Sequence, residues 1–516
     1  MVTRSASEGE ARDDETTRGS PSLTLFEVAL LGLLARKLVL HKSESCPMTR
    51  SLDSLQPQEG LAMVIVSDSA RSLKGFIART PLGDFAQAMA LRMVLAFISH
   101  RDRMTCSQAA GSVACESIHR GQLTRFLARP RWQKEDFNAP LRDAVLQWET
   151  GKGEFLFIVD ATLVSQAGLK TQNTYSTGNR KRRPQKGRRY NKKKVVHKRC
   201  HSFTFGLLIT PSGYRLPFQI PHYTKEYCKQ KGITHRTTAE AAAELVRQLP
   251  VSDDADVVVL GDTAYDAKSV QDACNERGYT WIVPANPERV YDGPTGQRPK
   301  LRSRLKDWKS LPLKTIRLRA STGKYARSRR LSKWRVGPKL KPRVYYAYQE
   351  KLDVRSVGRV QLVFSTMKPN LKKATPDDVK ILMTNATDRS VSQIIELYSL
   401  RWQIELLFKE MKSTLGFAQY SFQRFEAVKA WVELAITTVL FLEHLRAKRL
   451  ADRRLSKDAK EWWRVQRLHG LCAAFRQECE TKELKYMSDR LKTVGGVAKL
   501  KRLLTAALPV EYRAST

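Results

Sequence analysis

The chain has 516 residues, with 91 Lys and Arg against 51 Asp and Glu, a formal charge of +40 and a pI near 10.1. At roughly 150 residues per domain there is room for three or four domains with large cores, and 42% apolar residues exclude a wholly disordered chain. So large an excess of one sign repels itself unless a polyanion meets it, which makes nucleic acid the default partner and an anionic membrane surface the weaker rival. The best apolar stretch, Leu23–Ala35, is too short for a span and contains Glu27, so neither a membrane segment nor a signal peptide is expected.

Residues 1–74 read as a disordered leader and linker: a polar mixed-charge start, an apolar stretch at 23–40, then a Ser, Pro and Gln-rich segment. Order is expected from near Gly75. Phe85, Met89, Met93, Phe97 and Ile98 recur at helical spacing, and 105–114 with Ile118–Leu127 read as two short helices about a turn, the second carrying Arg120 and Arg125. That pair suits a helix-turn-helix as well as it suits a plain helical domain, so 75–150 is a helical N-terminal region and a candidate DNA-binding one. Eight scattered cysteines without a C-x-x-C pair fit a reducing cytosol. Cys200 between His197 and His201 lacks a second ligand cluster and reads as structural or phosphate-facing rather than zinc-binding.

After Gly151 the pattern turns to strands. Phe155–Val159 is a continuous apolar run ending in Asp160, and Ser202–Thr210 with Tyr214–Ile220 flank Pro211-Ser-Gly as a hairpin. Thr237–Leu249 reads as a helix with Thr237 or Thr238 as N-cap, followed by the strand Asp256–Leu260, the helix Ala267–Arg277 and the strand Tyr279–Val283. Three antiparallel leading strands, then strand and helix in alternation, define an α/β fold with a mixed sheet of the ribonuclease H type over 151–286. Residues 287–377 are basic and carry the strand patterns Thr315–Arg319, Val344–Gln349 and Val360–Ser365, which read as an inserted β-rich domain. The second part of the core, 378–445, would hold a last core strand at Ile381–Met383, an amphipathic helix Val391–Leu415 and a buried helix Ala427–Leu445. Residues 446–516 read as a basic helical C-terminal region.

The charge is local. Residues 179–199 hold 12 basic residues and no acid, 288–343 carry +16 and 444–516 carry +10, together +38 of the +40. Phosphate contact concentrated in a few places divides charge in this way; a uniformly solvated surface does not. Within 288–343, Trp308 and Trp334 are either stacking faces for an extruded base or core residues of the insertion.

Asp160 and Asp262 each follow a buried strand, at the edge where open α/β sheets build their sites. Either alone is as well explained as a cap or turn residue; both together, on what the topology makes neighbouring strands, point to chemistry. Asp266 could reach the same edge but is better placed to cap the next helix. The third element is Y-S-L-R-W-Q-I-E-L-L-F-K-E-M-K at 398–412. On one continuous helix Tyr398, Arg401, Glu405, Lys409 and Lys412 fall within an arc of roughly 80°. Leu397, Leu400, Ile404, Leu407, Phe408 and Met411 line the neighbouring arc, facing the sheet. A solvated face with ordinary i,i+4 ion pairs explains the charges but not the tyrosine among them.

These residues resemble the DDE transposases of bacterial insertion sequences, in the cut-and-paste group with a β-strand insertion in a ribonuclease H-like core. The group's signature of Tyr, two residues, Arg, three residues, Glu, six residues and Lys is matched by Tyr398, Arg401, Glu405 and Lys412. Asp160 in I-V-D-A-T and Asp262 in G-D-T-A-Y-D correspond to the family's two metal-binding aspartates. The resemblance spans about 75–445 and implies Asp160, Asp262 and Glu405 as catalytic and metal-binding. Two Mg²⁺ ions, replaceable by Mn²⁺, would activate the nucleophile and stabilise the leaving oxygen. It further implies Tyr398, Arg401 and Lys412 as contacts to double-stranded DNA at transposon ends and target, a homodimer on DNA, and a cytoplasmic, nucleoid-associated location. The competing expectations are a DNA-binding derivative without catalysis and a ribonuclease H-like nuclease.

Overall fold

A computed structural model describes residues 68–491 apart from 101–102, 111–117, 130–135, 167, 169, 178–197, 294–295 and 319–342. Of these, 68–487 fall in one compact unit and 488–491 in another. Residues 1–67 of the expected leader, His197, Trp334 and most of the basic segment 179–199 lie outside the described residues.

Five helices come first: α1 (Asp68–Ile77), α2 (Asp84–Ser99), α3 (Cys106–Ala110), α4 (Arg120–Ala128) and α5 (Ala139–Leu146). Order is thus already present before Gly75. Met89, Met93, Phe97 and Ile98 bury as their spacing requires, but Phe85 stands 63% exposed in the first turn of α2. It is a surface residue and not part of the apolar face. α4 buries Leu123, Phe126 and Leu127 and leaves Arg120 and Arg125 in solvent.

The sheet follows. Its strands are β1 (Phe155–Gln166), β2 (Tyr175–Thr177), β3 (Lys198–Ile209) and β4 (Arg215–Pro221), then, after α6 (Lys225–Lys231) and α7 (Thr238–Arg247), β5 (Val257–Leu260), and after α8 (Lys268–Glu276), β6 (Thr280–Pro284). The β3–β4 hairpin turns at Pro211–Gly213, where Gly213 takes the positive φ of 86° that a side chain resists. β4, β3, β1, β5 and β6 are neighbours in that order, antiparallel from β4 to β1 and parallel from β1 to β6. This is the ribonuclease H arrangement, covered by α7 and α8 on one face.

Thr237 caps α7 in a full capping box. Its hydroxyl accepts from Glu240 N at 3.2 Å while Glu240 Oε2 accepts from Thr237 N at 2.8 Å. Thr237→Ala should lower stability by about 1 kcal/mol, read as a shift of the denaturant midpoint; an unmoved midpoint would show that tertiary packing alone fixes this helix.

Beyond α9 (Leu301–Lys306), the strands β7 (Lys314–Leu318), β8 (Arg343–Val354) and β9 (Gly358–Thr366) extend the same sheet, because β9 pairs with β10 (Lys380–Thr384) and β10 with β6. β10 runs antiparallel to β6, so it does not continue the parallel series expected of a last core strand. Trp308 is 1% exposed and packs in the core, which removes it as a base-stacking face.

The expected single helix 391–415 is two, α10 (Val391–Ser399) and α11 (Trp402–Thr414). Between them Arg401 N bonds Tyr398 O at 3.0 Å and Gln403 N bonds Leu400 O at 2.9 Å. In such i→i−3 turns each residue advances about 120° and not 100°, so the single stripe is broken at Arg401. Ile404, Leu407 and Met411 are buried as expected, and Phe408 meets Phe205 of β3 edge-on at 5.3 Å. α12 (Phe425–Ala451) is buried on nearly all sides because α1, α2, α4, α5, β4 and α13 (Lys457–Val465) pack around it; α14 (Leu468–Leu491) is the last described element. Among the described residues no helix is long and apolar enough to cross a membrane.

Candidate active site

The register of the two central strands builds the site. β1 and β5 pair in parallel through Phe155–Val257 up to Ile158–Leu260, an offset of 102 residues, and Asp160 and Asp262 are separated by the same 102. Two steps beyond the last pair, the aspartates therefore face each other across neighbouring strands. Asp160 is not the end of its strand as expected. β1 runs on to Gln166 because β3 continues to pair with it, Asp160 lying opposite Phe205; what ends at this level is β5. Asp262 caps the 3-10 turn Thr263–Tyr265, its Oδ1 accepting from Ala264 N at 2.8 Å. Gly261 is needed before it, since a Cβ there would lie 2.8 Å from that of buried Tyr265.

Arg401 joins the helix pair to the sheet. Its guanidinium pairs with Asp160 Oδ2 at 3.4 Å and with Glu405 Oε1 at 2.5 Å, so the turn between α10 and α11 brings Glu405 to the two aspartates through a shared cation. Burial raises the pKa of Asp160, and the negative charges of Asp262 and Glu405 add to it against the pull of Ala161 N–H and Arg401. Tyr398 lies in the same field. Burial lifts its phenol to about 12, so it remains a hydrogen-bond donor at neutral pH.

Lys412 is half-buried and donates to the backbone oxygen of Leu163 at 3.1 Å, seating the end of α11 on the projecting part of β1; burial lowers its pKa. Lys409 points to solvent. Asp266 neither caps α8 nor faces the site. It is buried, pairs with Arg289 at 2.7 Å, and accepts from Asn286 N and Gln271 Nε2. His201 is likewise structural, held by Tyr420 Oη at 3.0 Å and Gln172 O at 2.9 Å.

One residue escaped the sequence pattern. Lys380 opens β10, and because β10 is antiparallel to β6 its first residue lies at the edge that carries the aspartates. Its ammonium sits 5.6 Å from the centre of the Tyr398 ring. No spacing rule reveals this, since it depends on the direction of one strand.

Two basic segments spring from this same edge. Residues 178–197 join Thr177 of β2 to Lys198 of β3, whose start pairs with the end of β1, and 319–342 join Leu318 of β7 to Arg343 of β8, beside the end of β9.

Asp160, Asp262 and Glu405 are the residues with which this edge could hold a divalent ion. Their donors are hard carboxylate oxygens, as Mg²⁺ and Mn²⁺ take, and two of them, Asp160 and Glu405, already share a cation, the Arg401 guanidinium. Among the described residues no three His, Cys, Asp or Glu side chains stand close enough to chelate one ion as they are, so a metal would have to take up part of Arg401's place.

Residues 232–441 match the family model of the transposase DDE domain, and residues 83–327 match that of the DDE superfamily endonucleases. The first match takes in Asp262 and Glu405, the second Asp160 and Asp262. No curated protein matches the chain. With the ribonuclease H-like sheet, these matches support a DDE-superfamily transposase domain, similar to nucleases of transposase type that act on DNA. DDE transposases as a class use divalent metal ions.

Proposed function

We propose that the chain is a cut-and-paste transposase of an insertion sequence, in the group with the Tyr-Arg-Glu-Lys signature. It would bind the terminal inverted repeats, cleave phosphodiester bonds there and join the 3′-OH ends to target DNA. The observation that carries this reading is the matched offset of Asp160 and Asp262 on adjoining parallel strands, with Glu405 drawn to them through Arg401. Asp160, Asp262 and Glu405 would hold two Mg²⁺ ions, which Mn²⁺ can replace; when bound, these supply Lewis-acid stabilisation of the attacking and leaving oxygens.

The protein's own residues do the rest. Arg401, released from one of its carboxylates, and Tyr398, as a protonated donor, would hold phosphate oxygens beside the scissile bond, and Lys412 would add charge about two turns beyond Glu405 along α11. The exposed arginines of α4 suit a region that reads the DNA end. Two ends must be cut and joined together, which calls for a homodimer on DNA, acting at the nucleoid.

The test is a labelled duplex carrying the element's end, with and without Mg²⁺. Cleavage and strand transfer that need the metal support the reading; binding without cleavage at any divalent ion would favour a catalytically silent DNA-binding protein. Affinity should fall steeply with salt. Six or more phosphate contacts give a log–log slope beyond about −5, and a shallow slope would mean that the basic segments are solvated and not engaged.

A further inference from the structure

We propose that Lys380 is a further phosphate-binding residue of the catalytic edge, acting with the Tyr398 hydroxyl on the DNA strand that enters the site. The inference rests on the DNA-cleaving reading above and names a contact that the signature residues do not include.

Four observations carry it. The antiparallel course of β10 puts Lys380 at the carboxylate edge of the sheet, two strands away from β5, which leads into Asp262. The ammonium lies over the Tyr398 ring, within the roughly 6 Å range of a cation–π contact. Among the described residues no carboxylate pairs with it; Asp378, two residues earlier, is taken by Thr375 and Lys368. Its nearest charged influence is a like charge, Arg401, which is itself shared between Asp160 and Glu405.

A lysine held over an aromatic ring beside another cation, with no acid of its own, lacks only an anion. The side chain keeps much of its surface in solvent, so an anion can reach it. Partial burial and Arg401 together depress its pKa, a cost that an arriving phosphate would reverse. The Tyr398 hydroxyl, protonated at neutral pH, supplies a second donor beside the ammonium. The carboxylates repel DNA, and the basic segments attract it only to the general region. A fixed cation at the rim of the pocket gives the backbone a defined point of purchase.

The experiment measures binding of a short blunt-ended DNA duplex to the full chain at a series of KCl concentrations, for the wild type and for Lys380→Met, Lys380→Gln and Lys380→Arg. Loss of one phosphate contact should make the log–log slope shallower by about 0.9 in the Met and Gln variants. Arg should restore it, and the melting temperature should stay at the wild-type value in all four. A structural lysine would move the melting temperature and leave the slope alone. A wild-type slope in both Met and Gln variants overturns the proposal while leaving the transposase reading intact. Failure of the wild type to bind DNA overturns both.

Discussion

Asp160→Asn, Asp262→Asn and Glu405→Gln should each abolish metal-dependent DNA cleavage while leaving DNA affinity equal to or above that of the wild type. Each change keeps shape and removes one anionic oxygen donor, so the loss should exceed the roughly 10–100-fold that outer-shell changes around a metal produce. Binding should not suffer, because a negative charge facing phosphate disappears. Asp160→Asn carries a further signature. Burial and the charges of Asp262 and Glu405 raise the pKa of Asp160 in the folded protein, so the folded state holds its proton more tightly than the unfolded chain does. Its contribution to stability is therefore full below the ordinary carboxylate range, near 3.9, and is lost as pH rises through the raised value. The Asn variant should lack that decline, and divalent metal should offset it in the wild type alone. Cleavage at wild-type rate in any of the three variants would refute the metal assignment. Joint loss of helical content and DNA binding would instead mark these residues as caps and ion-pair partners.

What the sequence could disclose was set by locality. Strand and helix periods, the Thr237 cap and the Pro211–Gly213 turn are local, and they stand where the pattern placed them. The spacing of the two aspartates was also visible, but its meaning needed the register of β1 on β5, a relation between distant segments. Other features depended on non-local partners. The direction of β10 decides that Lys380 belongs to the site. β3 carries β1 past Asp160, and the i→i−3 bonds at Leu400 and Arg401 divide what periodicity reads as one helix. Trp308 shows the same limit, since an aromatic residue in a basic segment reads as either a binding face or a core residue until packing shows it buried. Asp266 reads first as a helix cap and is none, because Arg289, 23 positions later, returns to pair with it.

Glu443→Ala should cost about 3–5 kcal/mol of stability, the range for leaving a buried charge without its partner. Glu443 lies in the middle of α12 with no solvent exposure and is the shared counter-ion of two buried guanidinium groups. It accepts from Arg215 Nε at 3.0 Å and pairs with Arg446, whose Nη2 also bonds Gly213 O at 2.7 Å. Burial alone would lower the pKa of Arg215, but Glu443 and Glu410 together hold it above its ordinary value, whereas Arg446, with less compensation, is pulled below its own. The cluster matters beyond stability because Arg215 also pairs with Glu410 at 3.1 Å, and Glu410 sits on α11 five residues after Glu405. One buried arginine at the start of β4 thus fixes α11 to the sheet and to α12. Glu443→Ala leaves buried Arg446 without a carboxylate and Arg215 with Glu410 alone. Replacing all three members by apolar residues of similar volume, as Arg215→Met, Glu443→Leu and Arg446→Met, should recover much of the loss, since it removes the desolvation cost along with the pairs. The triple variant would still lack the tie to Glu410, so its denaturation midpoint should recover further than its cleavage rate. A Glu443→Ala midpoint indistinguishable from wild type would show that solvent reaches this cluster and that the helix is held by apolar packing alone.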